Sequence, residues 1–188
     1  MNKLVLLLSM TTICFLFSCS EKKTETQDKT VLTNDLTANQ LTALNDSCTK
    51  AWVMMLDSDN QKIKDIERLL QEISYIPNHN DNEVKRLSMK AKELTTLRYT
   101  EESVSTEQID AYDKATDDLL KSVFELKRTT KGVEQYTLTE ELDQSIREAD
   151  GKVINYRVLY DAWAQKYNEA LQKSKNTEFK KKITFQII

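Results

Sequence analysis

An all-α fold, specifically an antiparallel up-down four-helix bundle with long first and fourth helices, is what this sequence of 188 residues predicts. Gly occurs twice and Pro once, far below usual shares of roughly 7% and 5%, so the turn residues that sheets and tight hairpins need are missing. Apolar residues recur three and four apart over four long stretches, which places them on one face of a helix. Between these stretches stand capping signals and a single proline, so the connections are short and consecutive helices become antiparallel neighbours.

The chain opens with a basic residue, Lys3, an apolar run through Leu4–Leu8 and Ile13–Phe17, and then Ser18-Cys19. A basic start, a short apolar stretch and a small residue before the cleavage point describe a signal peptide over residues 1–18. Its end resembles a bacterial lipobox, with Leu16 three positions before Cys19 and small Ser18 directly before it, and with bulky Phe17 between them as a departure. The resemblance implies that Cys19 is acylated and becomes the first mature residue. The other reading is an uncleaved membrane anchor, which about 15 apolar residues serve poorly against the ~20 of a span. Either reading tethers the domain to a membrane of a bacterial cell envelope, facing the periplasm or exterior. Residues 19–35 are rich in Lys, Glu, Thr, Gln and Asp and cannot bury enough surface to offset their ordering entropy, so they read as a flexible tether.

The helical domain is expected over 36–176. Thr37 and Gln40 form a capping box, with Leu36 and Leu41 as its hydrophobic staple. The first helix should run to Ile76 with Leu41, Leu44, Cys48, Trp52, Leu56, Ile63, Ile66, Leu70 and Ile73 inward. Asp59 stands where an apolar residue is expected and allows a bend or a locally exposed turn. Pro77-Asn78-His79-Asn80-Asp81 breaks the helix. Asn80 with Glu83 restarts it, and Val84, Leu87, Ala91, Leu94 and Leu97 form the second apolar face to Tyr99. Ser105 and Gln108 make the next capping box, flanked by Val104 and Ile109. The third stripe is Ile109, Tyr112, Thr116, Leu119, Val123 and Leu126, with Gly132 placed as a closing C′ glycine.

Thr137 with Glu140 caps the fourth helix. Its inward line is Leu142, Ile146, Ala149, Val153, Tyr156, Tyr160, Trp163, Tyr167 and Ala170, with Leu171 beside the last. The tail, 177–188, alternates Ile183, Phe185 and Ile187 as a strand would but has no partner strand, so it either docks on the bundle or stays loose.

The fourth helix reads Leu142, Ile146, Asp150-Gly151-Lys152-Val153, Tyr156-Arg157, Tyr160-Asp161 and Tyr167-Asn168. It resembles the C-terminal helix of the LemA family of membrane-associated bacterial proteins. Ala51-Trp52, Lys62, Ile66, Leu69, Leu70 and Ile73 fit the family's first helix. The likeness covers 142–168 residue by residue and 50–140 in broad pattern. Gly151 and Asp161 stand where the family commonly has Asn, Glu67 where it often has Pro, and a lipobox replaces its retained membrane helix. The resemblance implies a four-helix bundle held at a membrane, in a family without an established catalytic activity. Its motif residues Asp150, Lys152, Arg157, Tyr160, Tyr167 and Asn168 are read as structural.

Chemistry-bearing patterns are scarce. The single histidine, His79, lies in the proline turn, so neither a pair of inward Glu-x-x-His motifs nor a multi-histidine zinc site can be assembled. There is no glycine-rich phosphate loop, and no Ser-His-acid or Cys-His set has credible partners. Cys48, on the apolar stripe, reads as a small buried hydrophobe, and with Cys14 in the leader and Cys19 acylated no internal disulfide is expected. The aromatic line of the fourth helix reads as core, with each phenol reaching a polar partner such as Arg157, Asp150 or Asn168 supplies. Arg157 would tie to an acid on the first helix. A net charge of −3 with both signs intermixed gives no reason to expect nucleic acid.

These readings converge on a lipid-anchored, non-enzymatic scaffold or interaction module without a cofactor. Its expected partners are the membrane, through lipidated Cys19, and an envelope protein. The alternative is a periplasmic small-molecule or lipid-binding protein with a pocket between the helices near Trp52, Tyr160 and Trp163.

Overall fold

In the computed structural model, the described residues are 25–174 and 178–185, with side chains from Ala38 onward. The fold is all-α, with helices α1 (Glu25–Ser74), α2 (Asp81–Leu97), α3 (Thr106–Thr129) and α4 (Thr137–Ser174) and one 3₁₀ turn at Val133–Gln135. Residues 1–24, which hold the expected signal peptide, Cys19 and the start of the expected tether, lie outside the described residues.

The onset of α1 differs from the sequence expectation. The helix begins at Glu25, so residues 25–35, expected as tether, are helical, and Thr37 lies inside the helix instead of capping it. Residues 25–36 contain neither Gly nor Pro, and extending a helix by one residue costs far less than nucleating one. A local capping preference is therefore insufficient to stop it.

Other boundaries follow local chemistry more closely. Asn80 caps α2 by accepting the Glu83 amide at 3.2 Å, and Ser105 caps α3 by accepting that of Gln108 at 3.3 Å. Between α1 and α2, Asn78 takes the left-handed conformation at φ 61°. Leu97, expected inward, is exposed, because α2 ends there and Arg98 is already extended. Thr130 closes α3, its amide reaching the Leu126 and Lys127 carbonyls. Gly132, expected as the closing residue, instead opens the 3₁₀ turn at φ 84°. Thr137 is the first residue of α4, one place past a cap position.

The core lies chiefly between α1 and α4, which pack on each other along an extended interface, while α2 packs on both α1 and α3. Leu41, Cys48, Ile66, Leu69, Ile73, Leu87, Ala91, Val123 and Ile146 are fully buried or nearly so. Each large aliphatic among them contributes about 1.5–3 kcal/mol relative to exposure. Contacts from α1 to α4 descend in order: Trp52 meets Tyr160 with ring centroids 5.4 Å apart, Ser58 Oγ donates to the Ala149 carbonyl at 3.0 Å, and Ser145 Oγ donates to Asp65 at 2.7 Å. A short hydroxyl reaching the opposite helix's carbonyl brings the two backbones close.

The buried line of α4 departs from the apolar spacing at two positions. Arg157 and Ala164 are buried where Tyr156 and Trp163 were expected, and those two aromatics are half-buried. Trp163 instead carries Lys166 over its ring at 4.6 Å. Val153, Tyr160 and Tyr167 keep their expected buried places, and Arg157 is buried with an anionic partner, Asp113.

Candidate functional site

The concentration of chemistry is a polar and aromatic layer where the α2–α3 connection crosses α1 and α4. Asp59 is its first centre. It is buried, 4% exposed, so of the two outcomes its position allows, the locally exposed turn is not the one adopted. Tyr112 Oη donates to its Oδ2 at 2.5 Å, and Lys62 Nζ stands 2.9 Å from its Oδ1. Arg98 Nε stands 3.6 Å from its Oδ2, an ion pair beyond hydrogen-bonding range. Lys62, itself 2% exposed, also donates to Asp150 on α4 at 3.0 Å. Further along α1, buried Asp65 accepts from Gln61, Arg68 and Ser145.

Arg157 is the second centre. Its Nη1 and Nη2 donate to both oxygens of Asp113 at 2.6 Å, and Nη2 also donates to Tyr99 Oη at 2.7 Å. Burial works against the guanidinium's charge, but the hydrogen bonds and charge of Asp113 prevail and hold it above its ordinary range. The acid tied by Arg157 therefore lies on α3, whereas the first helix was expected to supply it. Burial raises the Tyr99 phenol to about 12. Burial, reinforced by Asp59, raises Tyr112; burial, reinforced by Glu101, raises Tyr160. At neutral pH these phenols are protonated; Tyr112 and Tyr160 donate to Asp59 and Glu101, and Tyr99 accepts from Arg157.

The third part is the C-terminal segment. Residues 178–185 lie against α4, so of the two alternatives for the tail it is docking that the described part adopts. Asn168 grips the Lys182 backbone twice, Nδ2 donating to its carbonyl at 2.9 Å and Oδ1 accepting its amide at 2.8 Å. The Phe185 amide donates to Asp161 at 2.7 Å. Lys182 Nζ reaches Glu101 at 2.6 Å, which also accepts from Tyr160 Oη at 3.1 Å. The Phe185 ring stacks on Trp52 at 5.8 Å and meets the edges or faces of Tyr99 and Tyr160. Arg157 lies over it at 5.3 Å. Ile183, expected to share the face of Phe185, is exposed, so the segment departs here from the regular alternation of a strand. Ile187 lies outside the described residues.

The expected motif residues thus have different fates. Tyr160 and Tyr167 are buried, Arg157 is a buried tie, Asp150 pairs with Lys62 instead of a phenol, Asn168 holds the tail, and Lys152 is exposed. Cys19 is outside the described residues. Cys48 is fully buried, and burial pushes its thiol up to about 11, the opposite of an activated nucleophile. His79 Nδ1 lies 2.8 Å from the Ile76 carbonyl within the turn. Among the described residues no three His, Cys, Asp or Glu side chains are grouped to share a metal ion, and no helix is long and apolar enough to cross a membrane.

Sequence spacing missed Arg98, Glu101, Asp113, Asp161 and Phe185 as members of the layer. The available signals were Asp59 on an apolar stripe, Asp161 beside Tyr160 in the fourth-helix motif, and Phe185 in a tail that could dock on the bundle. Of the residues named for the alternative's pocket, Trp52, Tyr160 and Trp163, the first two pack against the Phe185 ring and Trp163 lies under Lys166. A cleft of about 1290 Å³ lies elsewhere, between the Pro77–Asn80 turn, α2 at Lys90 and the end of α3 near Lys121 and Glu125. Comparison with protein-family models, curated proteins and solved structures gave no match.

Proposed function

We propose that the chain is a lipid-anchored, non-enzymatic interaction module of the bacterial cell envelope, an up-down antiparallel four-helix bundle of LemA type acylated at Cys19. The observation that carries the interaction reading is the use of the polar layer. Lys62 bonds to Asp150, Tyr112 to Asp59 and Arg157 to Asp113, each across two helices, so these groups serve as ties. The outer face of α4 meanwhile leaves Ile154 and Val158 57% and 49% exposed, one turn apart on the same face. The descending order of contacts from α1 to α4 supports the antiparallel arrangement, and the 1–19 sequence supports the anchor.

The anchor is tested by metabolic labelling with a fatty acid. The wild-type chain should carry label and sediment with membranes, because two or more acyl chains hold a protein stably at about 0.8 kcal/mol per buried CH₂. Cys19→Ala should lose both properties, and a labelled Cys19→Ala chain would refute the assignment.

The cleft of about 1290 Å³ favours a second reading, a small-molecule carrier, since its volume suits a ligand of drug size or larger. A molecule copurifying with the chain and released by Lys121→Glu would establish that reading; a clean native mass spectrum would remove it.

A further inference from the structure

The groove that holds residues 182–185 has the construction of a peptide-recognition site. Asn168 and Asp161 are seven residues apart on α4, about 10.5 Å at 1.5 Å per residue. Lys182 and Phe185, which they bind, are three residues apart, about 10 Å in extended chain. The two acceptors therefore match the repeat of an extended peptide running opposite to α4. Asn168, through its paired donor and acceptor, reads one residue's backbone without regard to its side chain.

Side-chain selection sits at both ends of this segment. Glu101, only 14% exposed at its side chain, takes a lysine. Trp52, Tyr99, Tyr160 and Arg157 enclose an aromatic ring from several sides. Between the two selective positions, Ile183 points outward and is 44% exposed. The pattern recognised is Lys-x-x-Phe in extended form. Main-chain hydrogen bonds supply affinity and spaced pockets supply specificity, as in other modes of binding extended peptides.

We propose that this groove is a binding site for extended Lys-x-x-Phe peptides, filled by the chain's own Lys182–Phe185 and open in exchange to the same motif on a partner polypeptide. The inference rests on the interaction-module reading and names that partner's chemistry. The resident segment sets a threshold, because an external peptide binds only in competition with a tethered copy whose effective concentration is high.

The test uses the full chain and a fluorescent peptide of residues 178–188. Phe185→Ala, which vacates the aromatic box, should bind the peptide saturably and about tenfold or more tighter than wild type. A peptide with alanine in place of its phenylalanine should not bind. Equal binding by both chains, or none by a Phe185→Ala chain of native helicity, would overturn the proposal. Should Phe185→Ala fail to fold, hydrogen exchange on Asn168→Ala decides the matter. The Lys182 amide should exchange about tenfold faster than in wild type, and unchanged protection would overturn the proposal. A negative peptide result leaves standing any partner crosslinked to the outer face of α4, so the groove and the module reading fail separately.

Discussion

At Asp59 the helical spacing asks for an apolar side chain, and the fold answers with a carboxylate buried among Lys62, Arg98 and Tyr112. Removing one member of such a group leaves the others buried without compensation, which costs about 3–5 kcal/mol. Asp59→Ala should therefore lower stability by that amount in urea unfolding. Arg157→Ala should cost less, roughly 2–3 kcal/mol, because Asp113 is 42% exposed and can rehydrate.

The phenols make an independent prediction. A group whose folded value is raised contributes stability present below its unfolded value, about 10 for tyrosine, and lost as pH rises through the folded value. Stability should thus begin to fall above pH ~10, and Tyr99 should ionise near 12 in the folded chain. Ultraviolet titration beside circular dichroism checks this; ionisation of Tyr99 near pH 10 before any loss of helix would contradict it. The stripe residues were legible in the sequence as single positions. Their partners were not, because Arg98, Glu101 and Asp113 lie tens of residues away in the chain and no periodicity relates them.

Among the elements, the helices were legible where a cap agreed with the apolar pattern at Asn80 and Ser105. At Thr37 a capping box and staple agreed with the apolar pattern and the boundary was still misread, because residues 25–36 hold no Gly or Pro to stop the helix. The two glycines separate these influences. Gly132 sits at φ 84°, where a side chain costs about 1–2 kcal/mol, so Gly132→Ala should destabilise by that amount. Gly151 lies within α4, where an added methyl group would meet open space with nothing closer than 4 Å, and Gly151→Ala should stabilise by about 0.5–1 kcal/mol. Thermal unfolding of the two variants, moving in opposite directions, checks both.

The α3–α4 junction adds a pH signature. Lys127 donates to Glu140 and Asp143. Burial opposes the Asp143 charge, yet Arg147 and Lys127 outweigh it and hold the carboxyl below its usual range. Its contribution is present above the unfolded value near 3.9 and is lost as pH falls through the lower folded value. Asp143→Asn should therefore flatten the acid limb of the stability profile below about pH 4.

For the whole molecule, the all-α class followed from composition and spacing because scarce turn residues leave few other options. The tail's role could not be read the same way, since an extended segment held by Asn168 and Asp161 needs helix rise and strand rise to coincide in space. The polar layer and the tail together use the interior for cohesion, and the outer face of α4, where Ile154 and Val158 are exposed, is the face proposed for contacts. A photo-crosslinking amino acid at Val158, in bacterial cells producing the full chain, tests that proposal directly. An interaction module should give one reproducible protein adduct in the membrane fraction, diminished by Cys19→Ala. No reproducible protein adduct at Val158, with a small molecule retained in the purified chain, would contradict it.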